Sequence, residues 1–279
     1  MPDWKDLMKK AHEDVMAAVK VWSVVLEEAF SPRIDYAYAK GSALKKWDSF
    51  IDYVPVLSDV DIHFMTTDND QLFSSDRKGF LKSIEVSRNY EELFMVERPN
   101  HLHIPRSQVI QLNHIIKNLP DFVLPRSVDV RVLIGTPIEH DIPSKESIRT
   151  ADFNQLEELE PILDDLPRQT FDRVSLDFWA LLRRLCWRVS PTPVRLLTQM
   201  AADPHDVWTW NRTRIIEELK KQSYGDIAYS YRRFYEIGWN LFLSEFKGLQ
   251  EFREIIVHAH DVLRGCLDQA RMIGYRLDM

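Results

Sequence analysis

The stretch Ser58-Asp59-Val60-Asp61-Ile62-His63-Phe64 constrains this chain more than any other. Acidic and apolar residues alternate along it, the period-two pattern of a half-buried strand. Side chains at i and i+2 leave a strand on the same face, with Cα atoms about 6–7 Å apart. Asp59 and Asp61 are thus expected to point the same way, while Val60 and Ile62 anchor the strand in a core. Two carboxylates side by side in a partly desolvated place repel, and one is pushed toward protonation unless a cation sits between them. A divalent metal resolves that conflict, and hard Mg²⁺ prefers such oxygen ligands.

Upstream, Ile34 to Ala39 forms a short β-like run that stops at Gly41-Ser42. Glycine lacks Cβ, so a backbone can approach a bulky anion there. Successive N–H groups in a turn make an anion-binding concavity, and the Ser42 hydroxyl can donate to a phosphate oxygen. Lys45 and Lys46 follow closely enough to reach a phosphate, or are solvated loop lysines. The rest of that loop, Trp47 to Val56, is apolar for a loop and is expected to fold partly over the site.

A phosphate-cradling Gly-Ser followed by an Asp-x-Asp strand resembles the nucleotidyltransferase superfamily, which includes DNA polymerase beta, kanamycin-type nucleotidyltransferases and small prokaryotic relatives. The resemblance covers roughly Tyr36 to Ile134. It implies an α+β fold: a nucleotidyltransferase-like mixed β-sheet flanked by helices, then an all-helical C-terminal bundle. It implies transfer of a nucleoside monophosphate from a nucleoside triphosphate, with ATP the expected nucleotide, to an acceptor hydroxyl, with release of pyrophosphate. Two Mg²⁺ ions, or Mn²⁺, would be held by Asp59 and Asp61, and Gly41 and Ser42 would hold the β- and γ-phosphates. By the same resemblance a third carboxylate is expected on a strand beside the Asp-x-Asp strand. Ser127 to Ile134, SVDVRVLI, reads as that strand, and Asp129 is its only acid. Asp68, Asp70 and Glu85 are competing placements.

The 279 residues are enough for two domains. The division expected is a catalytic domain over 1–140, an acidic connection over 141–170 and a helical bundle over 171–279. Hydrophobic content of 45% and charged content of 28% are ordinary for a soluble globular chain. A net charge of −7 argues against extended nucleic-acid binding. No run approaches the ~18–20 apolar residues that cross a bilayer, and the N-terminus does not read as a targeting segment. The expected location is cytoplasmic, with Cys186 and Cys266 as buried free thiols.

Helical periodicity covers Asp3 to Phe30, with Asp3 as N-cap, and Arg77 to Glu97, with Phe80, Leu81, Ile84, Tyr90, Leu93 and Phe94 as the buried set. Arg106 to Asn118 reads as another helix, closed by Pro120. His101 and His103 in the link between them are read as lacking a third metal ligand. From Phe171 onward only helices are expected, including Asp172–Val189, His205–Gln222, one from Tyr224 to about Phe246, and Leu249–Tyr275. Arg183 and Arg184 are candidates to reach the triphosphate, with surface ion pairing as the plainer alternative. Tyr231, Tyr235 and Trp239 share a helical face and read as core. Asp177, Glu217 and Glu236 remain equal candidates for a general base.

Three functions remain open: a small-molecule nucleotidyltransferase, of which aminoglycoside-modifying enzymes are one kind; an enzyme that nucleotidylates a protein or an RNA end; and a non-catalytic nucleotide-binding or regulatory protein that keeps the fold. The oligomeric state is not encoded in any motif.

Overall fold

A computed structural model describes residues 2–68, 70–118, 124–137 and 142–277, with side chains to residue 274. The chain divides into two compact units, Met1–Lys46 with Ser58–Ile142, and Trp47–Leu57 with Pro143–Met279. The boundary expected at residue 140 and Pro120 lie outside the described residues.

The first unit is α+β. Helix α1 (Trp4–Phe30) starts where expected, with the Asp3 carboxylate accepting from the Lys5 and Asp6 N–H groups at 3.1 and 3.2 Å. Its stripe of Ala11, Val15, Ala18, Trp22 and Leu26 is buried. Strands β1 (Ile34–Lys40), β2 (Val60–Thr66), β3 (Ser107–Gln111) and β4 (Arg131–Ile134) form a mixed sheet in the order β3-β2-β1-β4. β1 runs antiparallel to β2 and to β4, whereas β3 lies parallel to β2. Alternation along β2 sends Val60, Ile62 and Phe64 into the core, each no more than 2% exposed. On the other face Tyr36, Tyr38 and Leu112 form a smaller cluster.

Helix α2 (Arg77–Glu97) lies against α1, with Tyr90 stacked on Trp22 at 4.8 Å between ring centroids. That stack sets the helix's rotation and buries Val86, Tyr90 and Phe94 along one stripe. Phe80, Leu81 and Ile84, expected in the core, are turned out and lie 61%, 47% and 53% exposed. Asp14 of α1 ties down the far end of α2. Its carboxylate accepts from the Leu102 and His103 N–H groups at 2.8 and 3.0 Å, and from Arg98 Nε at 3.2 Å.

Two further expectations are corrected here. Arg106–Asn118 is not one helix: β3 precedes α3 (Leu112–Asn118). The β-branched pair Val109-Ile110 pairs with Ile62 and His63 of β2, and that non-local ladder overrides a local pattern too short to separate the two periods. Ser127–Asp129 is a 3₁₀ turn rather than the start of a strand. The Asp129 N–H donates to the Arg126 carbonyl at 2.9 Å and Arg126 Nε to the Asp129 carboxylate at 2.6 Å, so the turn closes locally before β4 begins.

The second unit is helical: α4 (Lys145–Glu157), α5 (Glu160–Thr170), α6 (Asp177–Val189), α7 (Thr192–Thr198), α8 (Pro204–Thr209), α9 (Arg212–Lys221), α10 (Gly225–Leu243) and α11 (Leu249–Leu277). The acidic stretch after residue 144 is thus helical and buries Ile148, Leu156, Leu163 and Leu166. α6 begins later than expected, leaving Val174 67% exposed. The stretch expected as one helix over His205–Gln222 is split at Trp210 and Asn211 into α8 and α9. Tyr231, Tyr235 and Trp239 are core residues, at most 2% exposed. Cys186 and Cys266 are both buried, and neither is in a disulfide.

Trp47–Leu57 is part of this helical core. Ile51, Tyr53, Val54 and Leu57 are at most 4% exposed. Arg212 donates to the Ile51 and Asp52 carbonyls at 3.0 Å each, and its guanidinium lies 3.9 Å above the Tyr235 ring. Trp239 Nε1 donates to the Phe50 carbonyl at 2.7 Å. Among the described residues no helix is long and apolar enough to cross a membrane.

Candidate functional site

Cross-strand register builds the site at one end of β1 and β2. Lys40, the last residue of β1, is the partner of Asp61 on β2. The chain then turns at Gly41, whose φ of +91° is a conformation that glycine adopts without strain. A Cβ at this position would overlap Asp61 Oδ2 and lie 3.2 Å from its Cγ. The Gly-Ser turn and the second aspartate are therefore in direct contact. Ser42 opens a 3₁₀ turn, Ser42–Leu44, and Lys45 follows it.

Asp61 has no side-chain hydrogen bond among the described residues. Burial pushes its pKa up to about 6; the ammoniums of Lys40 and Lys45 and the Arg106 guanidinium pull it down, while the neighbouring Asp59 carboxylate raises it further. Burial also lowers the Lys40 pKa, with Asp61 acting the other way. Asp59 and Asp61 thus interact electrostatically, as the alternation led one to expect. Asp59, however, has a partner: Arg106 Nη1 donates to its Oδ1 at 2.7 Å, and the Asp59 side chain is only 8% exposed.

The other expected residues have partners of their own. Asp129 is paired with Arg126 on the turn before β4. β2 lies between β1 and β3, and the positions in register with Asp61 are Lys40 on β1 and Gln108, an amide, on β3. Asp68 accepts from Arg33 Nε and Nη2 at 3.2 and 3.0 Å. Among the described residues no three acidic, histidine or cysteine side chains come together in a way that could hold a metal ion. In the helical unit, Arg183 Nη1 donates to the Val56 and Leu57 carbonyls at 2.7 and 3.2 Å, and Arg184 Nη2 to Gln169 Oε1 at 2.7 Å. Glu236 is paired with Arg232 and Arg233. His103 is buried, with Nδ1 3.2 Å from Asp14 Oδ2, and His101 Nδ1 is 2.9 Å from the Arg98 carbonyl.

Sequence reasoning missed Lys40 and Arg106. Lys40 stands next to Gly41 in the chain, but its pairing with Asp61 follows only from strand register. Arg106 was hidden in a stretch that reads as helical; its carbonyl accepts from the Val60 N–H at 2.9 Å, which sets it beside the start of β2.

Compared with known proteins, the chain matches no family model, no curated protein and no solved structure.

Proposed function

We propose that the Lys40–Asp61 end of the sheet binds a nucleoside triphosphate with a divalent cation and transfers its nucleoside monophosphate to a hydroxyl of a small molecule. The observation carrying this reading is Asp61: a carboxylate pressed against a left-handed glycine turn, without a hydrogen bond, its pKa raised by burial and by a second carboxylate. Such a group lacks a cation rather than a fold contact. Asp59 and Asp61 suit one Mg²⁺ or Mn²⁺ whose remaining ligands are water and phosphate oxygens, since Mg²⁺ commonly takes one or two carboxylates plus substrate phosphates. The bound ion would supply charge stabilisation at the transferred phosphoryl group. Gly41 and Ser42 would take phosphate oxygens through the turn, and Lys40 and Lys45 would offset phosphate charge. Arg183 and Arg184 are assigned to holding their own unit together, and Asp129 to its turn.

The Asp59–Arg106 ion pair favours a second reading, a nucleotide-binding protein without transferase activity, in which Arg106 stands permanently where a metal charge would be. Calorimetric titration of ATP and of GTP, each with Mn²⁺ or with EDTA, tests both. The expected result is metal-dependent binding that Asp61→Asn abolishes and that Arg106→Gln strengthens, because Asp59 is freed. Equal affinity with Mn²⁺ and with EDTA in both the parent chain and Arg106→Gln would overturn the proposal. Metal-dependent binding with no transfer of α-phosphate label to any added hydroxyl compound would select the second reading.

A further inference from the structure

The first unit holds a half-open groove of about 780 Å³ that reaches from α2 to Arg106 and Ser107 at the start of β3. Its walls come from α1, α2, β2 and β3, on the face to which Phe64 and Val109 point. Trp22, Phe30, Phe64, Phe73 and Tyr90 supply aromatic surface. The volume falls within the ~300–1,000 Å³ of small-molecule sites, which are mostly apolar with a few placed polar groups.

Charge narrows the occupant. Two charged side chains line the groove, Arg106 and Glu91. Arg106 is neutralised by Asp59. Glu91 is exposed and has no ion-pair partner among the described residues. The groove therefore presents an unopposed negative charge beside aromatic rings, whose faces are themselves electron-rich. The helix surface next to it is also apolar. At 100° per residue, Phe80 and Ile84 fall on the same flank of α2 as Glu91, and they lie 61% and 53% exposed. A polar ligand has no use for that lip.

We propose that the groove binds a lipophilic cation: an aromatic or aliphatic body up to drug size carrying one positive charge, the body against Leu72, Phe73 and the open edges of the Trp22–Tyr90 stack and the charge at Glu91. The groove and the carboxylate pair share Arg106, which lines the one and bonds Asp59 of the other, but binding read at Glu91 needs no nucleotide and no metal.

The probes are tetraphenylphosphonium and tetraphenylborate, two ions of the same shape and opposite charge. Calorimetry with the full chain is expected to show one tetraphenylphosphonium per chain, bound about tenfold tighter than tetraphenylborate. Glu91→Gln should bring the two affinities to within about threefold of each other, and Ser83→Trp or Ser87→Trp, which place an indole in the groove from a partly or fully exposed position, should each remove binding while far-ultraviolet circular dichroism stays unchanged. No saturable binding, equal affinity for the two ions, or full binding in both tryptophan variants overturns the proposal. So does a concentration-dependent dimer that Ser87→Trp dissociates and tetraphenylphosphonium does not, since the groove would then be covered by a second copy of the chain.

Discussion

Asp52 is buried and Asp61 half-buried, and they have opposite surroundings. Asp52, 1% exposed, receives four hydrogen bonds: from the Asp48, Ser49 and Thr213 N–H groups and from the Thr213 hydroxyl, all between 2.8 and 2.9 Å. Asp14 is treated the same way in the other unit; burial pushes its pKa up, but the hydrogen bonds from the His103 ring and from the His103 and Leu102 N–H groups outweigh that and leave it lowered. Asp61 has a like charge nearby and a raised pKa. A buried carboxylate with donors on every side holds a fold together; one without donors is held in place by the fold. Asp14 and Asp61 carry opposite linkage. A lowered pKa contributes stability that is present at neutral pH and lost as pH falls through the folded value, whereas a raised pKa costs stability once the group ionises.

The largest effect should come from breaking the satisfied kind. Asp52→Ala leaves three backbone N–H groups without their acceptor in a buried place, each worth ~1–3 kcal/mol. We expect a loss of about 3–5 kcal/mol in urea unfolding followed by tryptophan fluorescence. Asp14→Ala should do similar damage by orphaning the Leu102 and His103 N–H groups and leaving Arg98 with Glu13 as its remaining carboxylate. A loss under about 1 kcal/mol in both would erase the distinction drawn here.

What was legible beforehand follows the same divide. Helix α1, strands β1 and β2 and the like-charge interaction of Asp59 with Asp61 were readable because each rests on a local period, whereas the Arg106 partner of Asp59 was not. The direct contact of Gly41 with Asp61 was only implied. Strand β3 was not readable, since five residues pair in parallel with a strand more than forty positions away in the chain, and nothing local marks that partner. Trp47–Leu57 was noticed as apolar, but its burial among α9 and α10 depends on Arg212, Thr213 and Trp239, which no local pattern connects to it. Phe80, Leu81 and Ile84 were misplaced for a related reason: periodicity finds an apolar stripe, while the Trp22–Tyr90 stack decides which stripe is buried.

A middle-sized effect should sharpen the contact on which the site depends. Gly41→Ala forces a side chain into positive φ and into overlap with the Asp61 carboxylate. The expected cost is about 2–3 kcal/mol, of which roughly 1 kcal/mol is the backbone conformation. In an Asp61→Ala background only the backbone part should remain. Equal costs in the two backgrounds would show that the glycine and the aspartate act separately.

The smallest effect is the most diagnostic, because its sign is opposite to that expected of an ordinary buried aspartate. With a folded pKa of about 6 against the 3.8 of an ordinary aspartate, ionised Asp61 destabilises the fold at neutral pH. The two-unit difference bounds the cost at about 3 kcal/mol, and partial exposure lowers it. Asp61→Asn should therefore raise stability by about 1–2 kcal/mol at pH 8, keep most of the gain at pH 6, and gain nothing below about pH 3, where the parent carboxyl is protonated in both folded and unfolded chains. Unfolding curves at pH 3, 6 and 8 measure this directly. The same titration repeated with Mn²⁺ and a triphosphate should cancel the gain at pH 8, since a cation then stabilises the ionised parent and has no such partner in the asparagine variant. A variant that is less stable than its parent at pH 8 would mean that Asp61 belongs with Asp14 and Asp52, as a structural residue.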